Sequence, residues 1–220
     1  HPKPTQDDVP DSKRVKLSNG TDSTPHARAD AASAIFVAPS DWPPPGPIDL
    51  AKADLPHDSA DTEWWYVNGH VKEEKTGHDL SFFASFFRIC KKIHADGSIE
   101  HAHALTWAIV DETNKQYYAD PILDRSTPEI LRKQLEDGTY DLDQRMSRAF
   151  LEIVKKNNVP LPDRMFDGPI SVSKDKFDLK YDVCTMTKDA AGHYHVHCEN
   201  PAKGIAFTFE MTPQKPPTRQ

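Results

Sequence analysis

Cysteine is scarce in this chain: Cys90, Cys184 and Cys198 are the three cysteines among 220 residues. So low and odd a count excludes a disulfide framework as the source of stability. Cys184 and Cys198 flank an expected hairpin and could be cross-strand neighbours; two ordinary thiols is the plainer reading. No run of about 18 apolar residues occurs, so no segment reads as a membrane-spanning helix. Positive charge is not in excess either. The formal net charge of -7 argues against nucleic acid or an anionic membrane surface as the main partner. Gly-rich phosphate loops, a nucleophile elbow and paired-Cys zinc motifs are all missing, so neither a cofactor nor a metal is expected. No internal repeat of 20 to 50 residues is visible.

What is present suits a packed core, with 28% charged and 9% aromatic residues. The length allows one or two domains. The 19 prolines are unevenly spread. Residues 1–45 are rich in Pro, Ser, Thr, Asp and Ala and lack periodicity, which predicts a tail unable to fold alone. Within it, Lys13-Arg14-Val15-Lys16 reads as a solvated charge cluster. Asn19-Gly20-Thr21 is a glycosylation sequon, used only in a secretory compartment. The first residue is His1, so a leader could have been removed. Together these make a secreted glycoprotein an expectation, with cytoplasmic residence left open. Trp42-Pro43-Pro44-Pro45-Gly46-Pro47 then leads, extended, into a folded domain over 46–212. Residues 213–220 are Pro-rich and read as a linker.

Strand signals follow in quick succession. Residues 63–71 and 80–90 predict a hairpin, 101–110 a third strand and 116–119 the start of a fourth. A helical insertion is expected near 127–157. Ser126-Thr127-Pro128-Glu129 resembles a capping box and Gly138 can stop the first helix. A second helix over 143–156 carries Leu142, Met146, Phe150 and Val154 on one stripe, read as core packing. Beyond Gly168, alternation returns at 177–183, 194–198 and 205–211. About eight one-sided strands in up-and-down order predict an all-β fold, a barrel or strongly bent antiparallel sheet.

The stretch Pro56-His57-Asp58-Ser59-Ala60-Asp61-Thr62-Glu63-Trp64-Trp65-Tyr66-Val67-Asn68-Gly69-His70 resembles the opening signature of the AttH and carotenoid 1,2-hydratase family. Phe86-Phe87-Arg88, the strand 103–111 ending in Asp, and Tyr117-Tyr118 match its next features in order, over about residues 54–212. The resemblance implies a lipocalin-like barrel, the N-terminal half of a two-barrel protein whose second half is a partner in the same chain. Family members hydrate prenyl or polyene double bonds, as carotenoid hydratase and kievitone hydratase do, and others are fungal pericyclases.

Hydrating an isoprenoid alkene needs an acid to protonate carbon, a surface that stabilises the cation, and a held water. Aromatic faces stabilise cations, and apolar surroundings keep an acid protonated. Glu63, His103 and Asp111 are the candidate catalytic residues. Trp64, Trp65, Tyr66, Phe87, Arg88, His101 and Trp107 are the candidate substrate-binding residues. Strand parity puts Glu63 and Trp65 on one face and Trp64, Tyr66 and His70 on the other. His101, His103 and Trp107 share a face. Plainer readings stand beside these: core aromatics, a buried Glu63–Arg88 ion pair, and a turn role for Asp111. His193, His195 and His197 share a strand face and could bind zinc, but a solvent-facing edge explains them equally.

Three functions remain in view. The first is a hydro-lyase acting on a prenylated phytoalexin or carotenoid. The second is a cofactor-free pericyclase or isomerase of secondary metabolism. The third is a non-catalytic carrier of hydrophobic ligands. The strands 64–70 and 101–111 are expected to be neighbours lining an open concave surface.

Overall fold

The chain alternates its burial along β1, Thr62–Lys72, residue by residue: Glu63, Trp65 and Val67 are half-buried, and Trp64, Tyr66 and His70 are exposed. This settles which face looks inward. The computed structural model describes residues 38–140 and 142–217. The sequon and the basic cluster lie outside the described residues. A short helix α1, Leu50–Ala53, precedes β1. After β1 come β2, Asp79–Ile93, β3, Ile99–Asp111, and β4, Gln116–Leu123. Helices α2, Thr127–Glu136, and α3, Gln144–Val154, follow. Six short strands close the chain: β5, Arg164–Met165; β6, Ile170–Val172; β7, Asp178–Tyr181; β8, Cys184–Lys188; β9, Tyr194–Asn200; and β10, Ile205–Met211.

Among the described residues ten strands form two five-stranded sheets, ordered β1-β2-β3-β4-β5 and β10-β9-β8-β7-β6. Every ladder among the described residues is antiparallel except β4 with β5. A parallel pair cannot be joined by a tight turn and needs a long crossover; α2 and α3 are that crossover. The expected helical insertion is thus explained by topology. The expected capping box is not formed. Ser126 makes no side-chain cap bond and instead donates to Asp124 Oδ1 at 2.7 Å. Asp143 does cap α3, accepting from the Arg145 and Met146 amides. The α3 stripe is uneven, since Val154 is buried and Met146 exposed.

The all-β expectation holds, but the sheets do not close into a barrel. The reason lies in the core. Rings from one sheet meet rings from the other, which keeps the sheets face to face instead of edge to edge. Phe82 of β2 stacks on Phe209 of β10 with centroids 4.0 Å apart. Trp107 of β3 meets Phe207 edge-on at 5.4 Å, and Phe86 meets Tyr181 at 5.1 Å. Gly69 belongs to this packing: a Cβ there would come within 2.9 Å of the Phe82 ring.

Two further expectations are corrected. Residues 177–183 do not make one strand, because Asp182 takes a left-handed φ of 60° and turns β7 into β8. The strands β1 and β3 are not neighbours: β2 lies between them, pairing Glu63 with Arg88 on one side and Arg88 with His103 on the other.

Candidate functional site

That register aligns Glu63, Arg88 and His103 in one inward-facing row across three strands. Arg88 is 4% exposed. Its NH2 group lies 3.3 Å from Glu63 Oε2 and its NH1 group 3.1 Å from Asp58 Oδ1. A buried guanidinium needs such partners. His57, from the loop before β1, completes the cluster. Both Glu63 oxygens accept from the His57 amide at 3.1 Å, and His57 Nδ1 sits 2.6 Å from Glu63 Oε1. That is the length of a charge-assisted bond, and it fixes the orientation of the His57 ring. Glu63 is therefore the partner of a histidine and an arginine, not an isolated acid in an apolar pocket.

His103 stands at the other end of the row. Its amide donates to Asp124 Oδ2 at 3.1 Å, and its ring meets Tyr181 edge-on at 5.3 Å. Burial pushes the His103 imidazole below its ordinary range, against the pull of Asp124. His101 is lowered too, by burial and then by the Arg88 charge. The His101 Nε2 atom is buried with no hydrogen-bond partner among the described residues. Burial also raises the Tyr181 phenol, whose hydroxyl donates to the Phe87 carbonyl at 2.9 Å. Arg88, His101 and His103, with Asp58, Lys174 and the aliphatic Ile170 and Val172, line a cavity of about 480 Å³.

The remaining sequence candidates fall elsewhere. Trp64 and Tyr66 are 54% and 56% exposed on the outer face of the sheet, where Phe87 pairs with Trp64 at 6.3 Å. Neither lines the cavity at Arg88 and His103, and Tyr66 instead borders a second cavity, at Trp65. Trp107 is fully buried core, packed on Tyr118 and Phe207. Asp111 accepts from the Asn114 amide and side chain at the β3–β4 turn, and these bonds hold its carboxyl low. It stands eight residues along β3 from His103, roughly 26 Å at strand rise. The two cannot act on one atom. Trp65 lines a separate, mainly apolar cavity of about 340 Å³ with Phe177, Met186 and Met211. At its edge Asp54 accepts from Lys188 Nζ at 2.7 Å and from the Tyr194 hydroxyl. His193, His195 and His197 keep to the outer face of β9, paired with Asp189, Glu210 and Glu199. No group of three metal-ligating side chains suited to an ion is found among the described residues.

Sequence reasoning left out His57, Asp58, Asp124, Lys174 and Tyr181. His57 and Asp58 were legible, since they open the same motif as Glu63. Nothing local marks the other three.

No family model and no curated protein matches the chain. Among solved structures it is similar to that of an AttH candidate from Nitrosomonas europaea, at 18% identity and a TM-score of 0.48. It is the family that the Glu63–Tyr66 motif resembles. The match covers 82% of this chain and 41% of the other, so the chain spans about two-fifths of that protein's length. No helix among the described residues is long and apolar enough to cross a membrane.

Proposed function

We propose that this domain is part of a hydro-lyase that adds water to a prenyl or polyene double bond of a hydrophobic small molecule. The observation that supports it is the meeting of Arg88, His101 and His103 on one cavity between the sheets, with Glu63 gripping Arg88 from behind its wall. A histidine held neutral by burial is suited to take a proton from an attacking water. His103 has that role, with Asp124 and Tyr181 setting its ring. Behind the cavity wall the His57–Glu63 pair positions the Arg88 guanidinium. The cavity wall combines charged, imidazole and aliphatic side chains and, among the described residues, holds no Phe, Tyr or Trp, so the aromatic surface for a cationic intermediate is assigned to the second lipocalin-like half. Trp64, Tyr66 and Phe87 would be contacts of that half and not of the substrate.

The protein is incubated with a panel of prenylated phenolics and carotenoids in heavy-oxygen water. Products carrying the heavy oxygen, lost in His103→Gln and in Glu63→Gln, are the expected result. No incorporation across the panel removes the hydratase reading. Turnover without incorporation, unaffected by Glu63→Gln, identifies a shape-driven pericyclase instead. The apolar Trp65 cavity favours one second reading, a carrier of hydrophobic ligands, which predicts that a bound molecule is recovered unchanged.

A further inference from the structure

Cys184 opens β8 and Cys198 lies near the end of β9. The two strands pair antiparallel with Thr185 opposite His197, so the next step of the register sets Cys184 opposite Cys198. Both are free thiols and both are fully buried on the inner face. Directly opposed residues on one face of an antiparallel pair have Cβ atoms about 4.5–5.5 Å apart. At the short end this meets the span of a disulfide, whose Cβ atoms lie about 3.5–4.5 Å apart. The Cys184 thiol is held at the end of β9, beside Cys198, where it donates to the Glu199 carbonyl at 3.7 Å. The Glu199 amide donates to the same sulfur at 3.4 Å. Cys90 belongs to the other sheet, opposite His101.

We propose that Cys184 and Cys198 are the site of an intramolecular disulfide that bridges β8 to β9 when the chain folds in an oxidising compartment. A small-molecule disulfide such as oxidised glutathione supplies the oxidation. The Cys184 thiolate attacks one of its sulfurs and expels one glutathione thiolate. Cys198 then gives up its proton and attacks the Cys184 sulfur of the mixed disulfide, expelling the second. Two cysteine thiols are oxidised and one glutathione disulfide is reduced to two thiols. Because the folded pair is shielded from so large an oxidant, closure belongs to the folding chain and not to the finished fold. The bridge encloses the 13 residues 185–197, which hold the β8–β9 turn.

The test is to refold the denatured, reduced protein in a glutathione redox buffer, with native reduced protein in the same buffer for comparison. Free thiols are alkylated and the peptides mapped by mass. The expected result is a Cys184–Cys198 bridge with Cys90 alkylated in the refolded sample, and slow or no bridging in the native one. The bridged form should keep the far-ultraviolet circular dichroism of the reduced form and melt at a higher temperature. Cys90→Ser should bridge as fully as the wild type, and Cys184→Ser should not bridge. Since Cys184→Ser alters a core position, protein secreted to a bacterial periplasm gives a second measurement without any variant. Three alkylatable thiols in both samples overturn the proposal. So does a bridge that involves Cys90, or one confined to chains with altered circular dichroism.

Discussion

Replacing Arg88 with methionine keeps a flexible stem of similar reach against the core and deletes the guanidinium. In the wild type that group is 4% exposed and faces two carboxylates. Asp58 has a side chain 43% exposed, so water replaces most of what it loses. Glu63 does not have that recourse, with a side chain 13% exposed. In the variant it keeps only the two His57 donors. Breaking a buried pair by removing one partner costs about 3–5 kcal/mol. At about 2–4 °C per kcal/mol for a domain of this size, Arg88→Met should lower the melting temperature by roughly 6–20 °C. Urea unfolding followed by circular dichroism gives the free energy directly. Glu63→Gln combined with Arg88→Met should cost less than the sum of the single changes by about 1–3 kcal/mol, because no buried charge is then left alone. A loss under about 1 kcal/mol for Arg88→Met, or strict additivity, would refute the idea that this row is a coupled buried network.

Three further outcomes can be checked. Gly69→Ala should cost about 1–3 kcal/mol by pressing on the Phe82 ring and its stack with Phe209, and Phe82→Leu in the same chain should recover part of that in thermal melts. Asp120→Asn removes a charge that Arg164 grips at 2.9 and 2.8 Å and that Asn200 contacts at 3.2 Å; a loss of about 2–3 kcal/mol in urea titration is expected. His103, with a folded-state value below the ordinary 6.5, binds fewer protons folded than unfolded as pH falls through 6.5. Stability should therefore rise with pH through that window and fall on acidification. His103→Gln should flatten this slope, and an unchanged slope would show that another group carries it.

How much of this was legible beforehand follows from what kind of information a strand pattern holds. Alternation assigns residues to two faces, and along β1 the assignment stands, Glu63 with Trp65 and Trp64 with Tyr66, whereas Val183 leaves the face of Phe177, Leu179 and Tyr181 at the Asp182 turn. Alternation alone does not say which face is inside, because the aromatic motif carries tryptophan on both. The deciding residues are Phe82, Phe86 and Phe207, whose rings only reveal their partners once two sheets are stacked. Closure was misjudged for a related reason. Up-and-down strand order is shared by barrels and by packed sheets, and the distinction rests on long-range ring contacts that have no sequence period. The parallel β5 has two residues, too short for any periodicity, yet it is what turns two helices into a crossover.

The candidate site shows the same division. Glu63, Arg88 and His103 lie on adjacent strands of a meander, so short turns and register bring them together from positions the pattern already marks. Lys174 reaches the cavity from the β6–β7 turn and Tyr181 from β7, both in the opposite sheet. Residues supplied across a sheet-to-sheet interface leave no spacing signal, because the number of residues between them reflects the intervening elements and not the distance. Local motifs therefore locate one wall of such a site and fall silent on the other. Here the silent wall matters chemically. Tyr181 is the only described residue whose ring faces both Phe86 and His103, and its buried hydroxyl is tied to the Phe87 carbonyl. It couples the imidazole that takes the proton in the proposed reaction to the core that fixes the spacing of the two sheets.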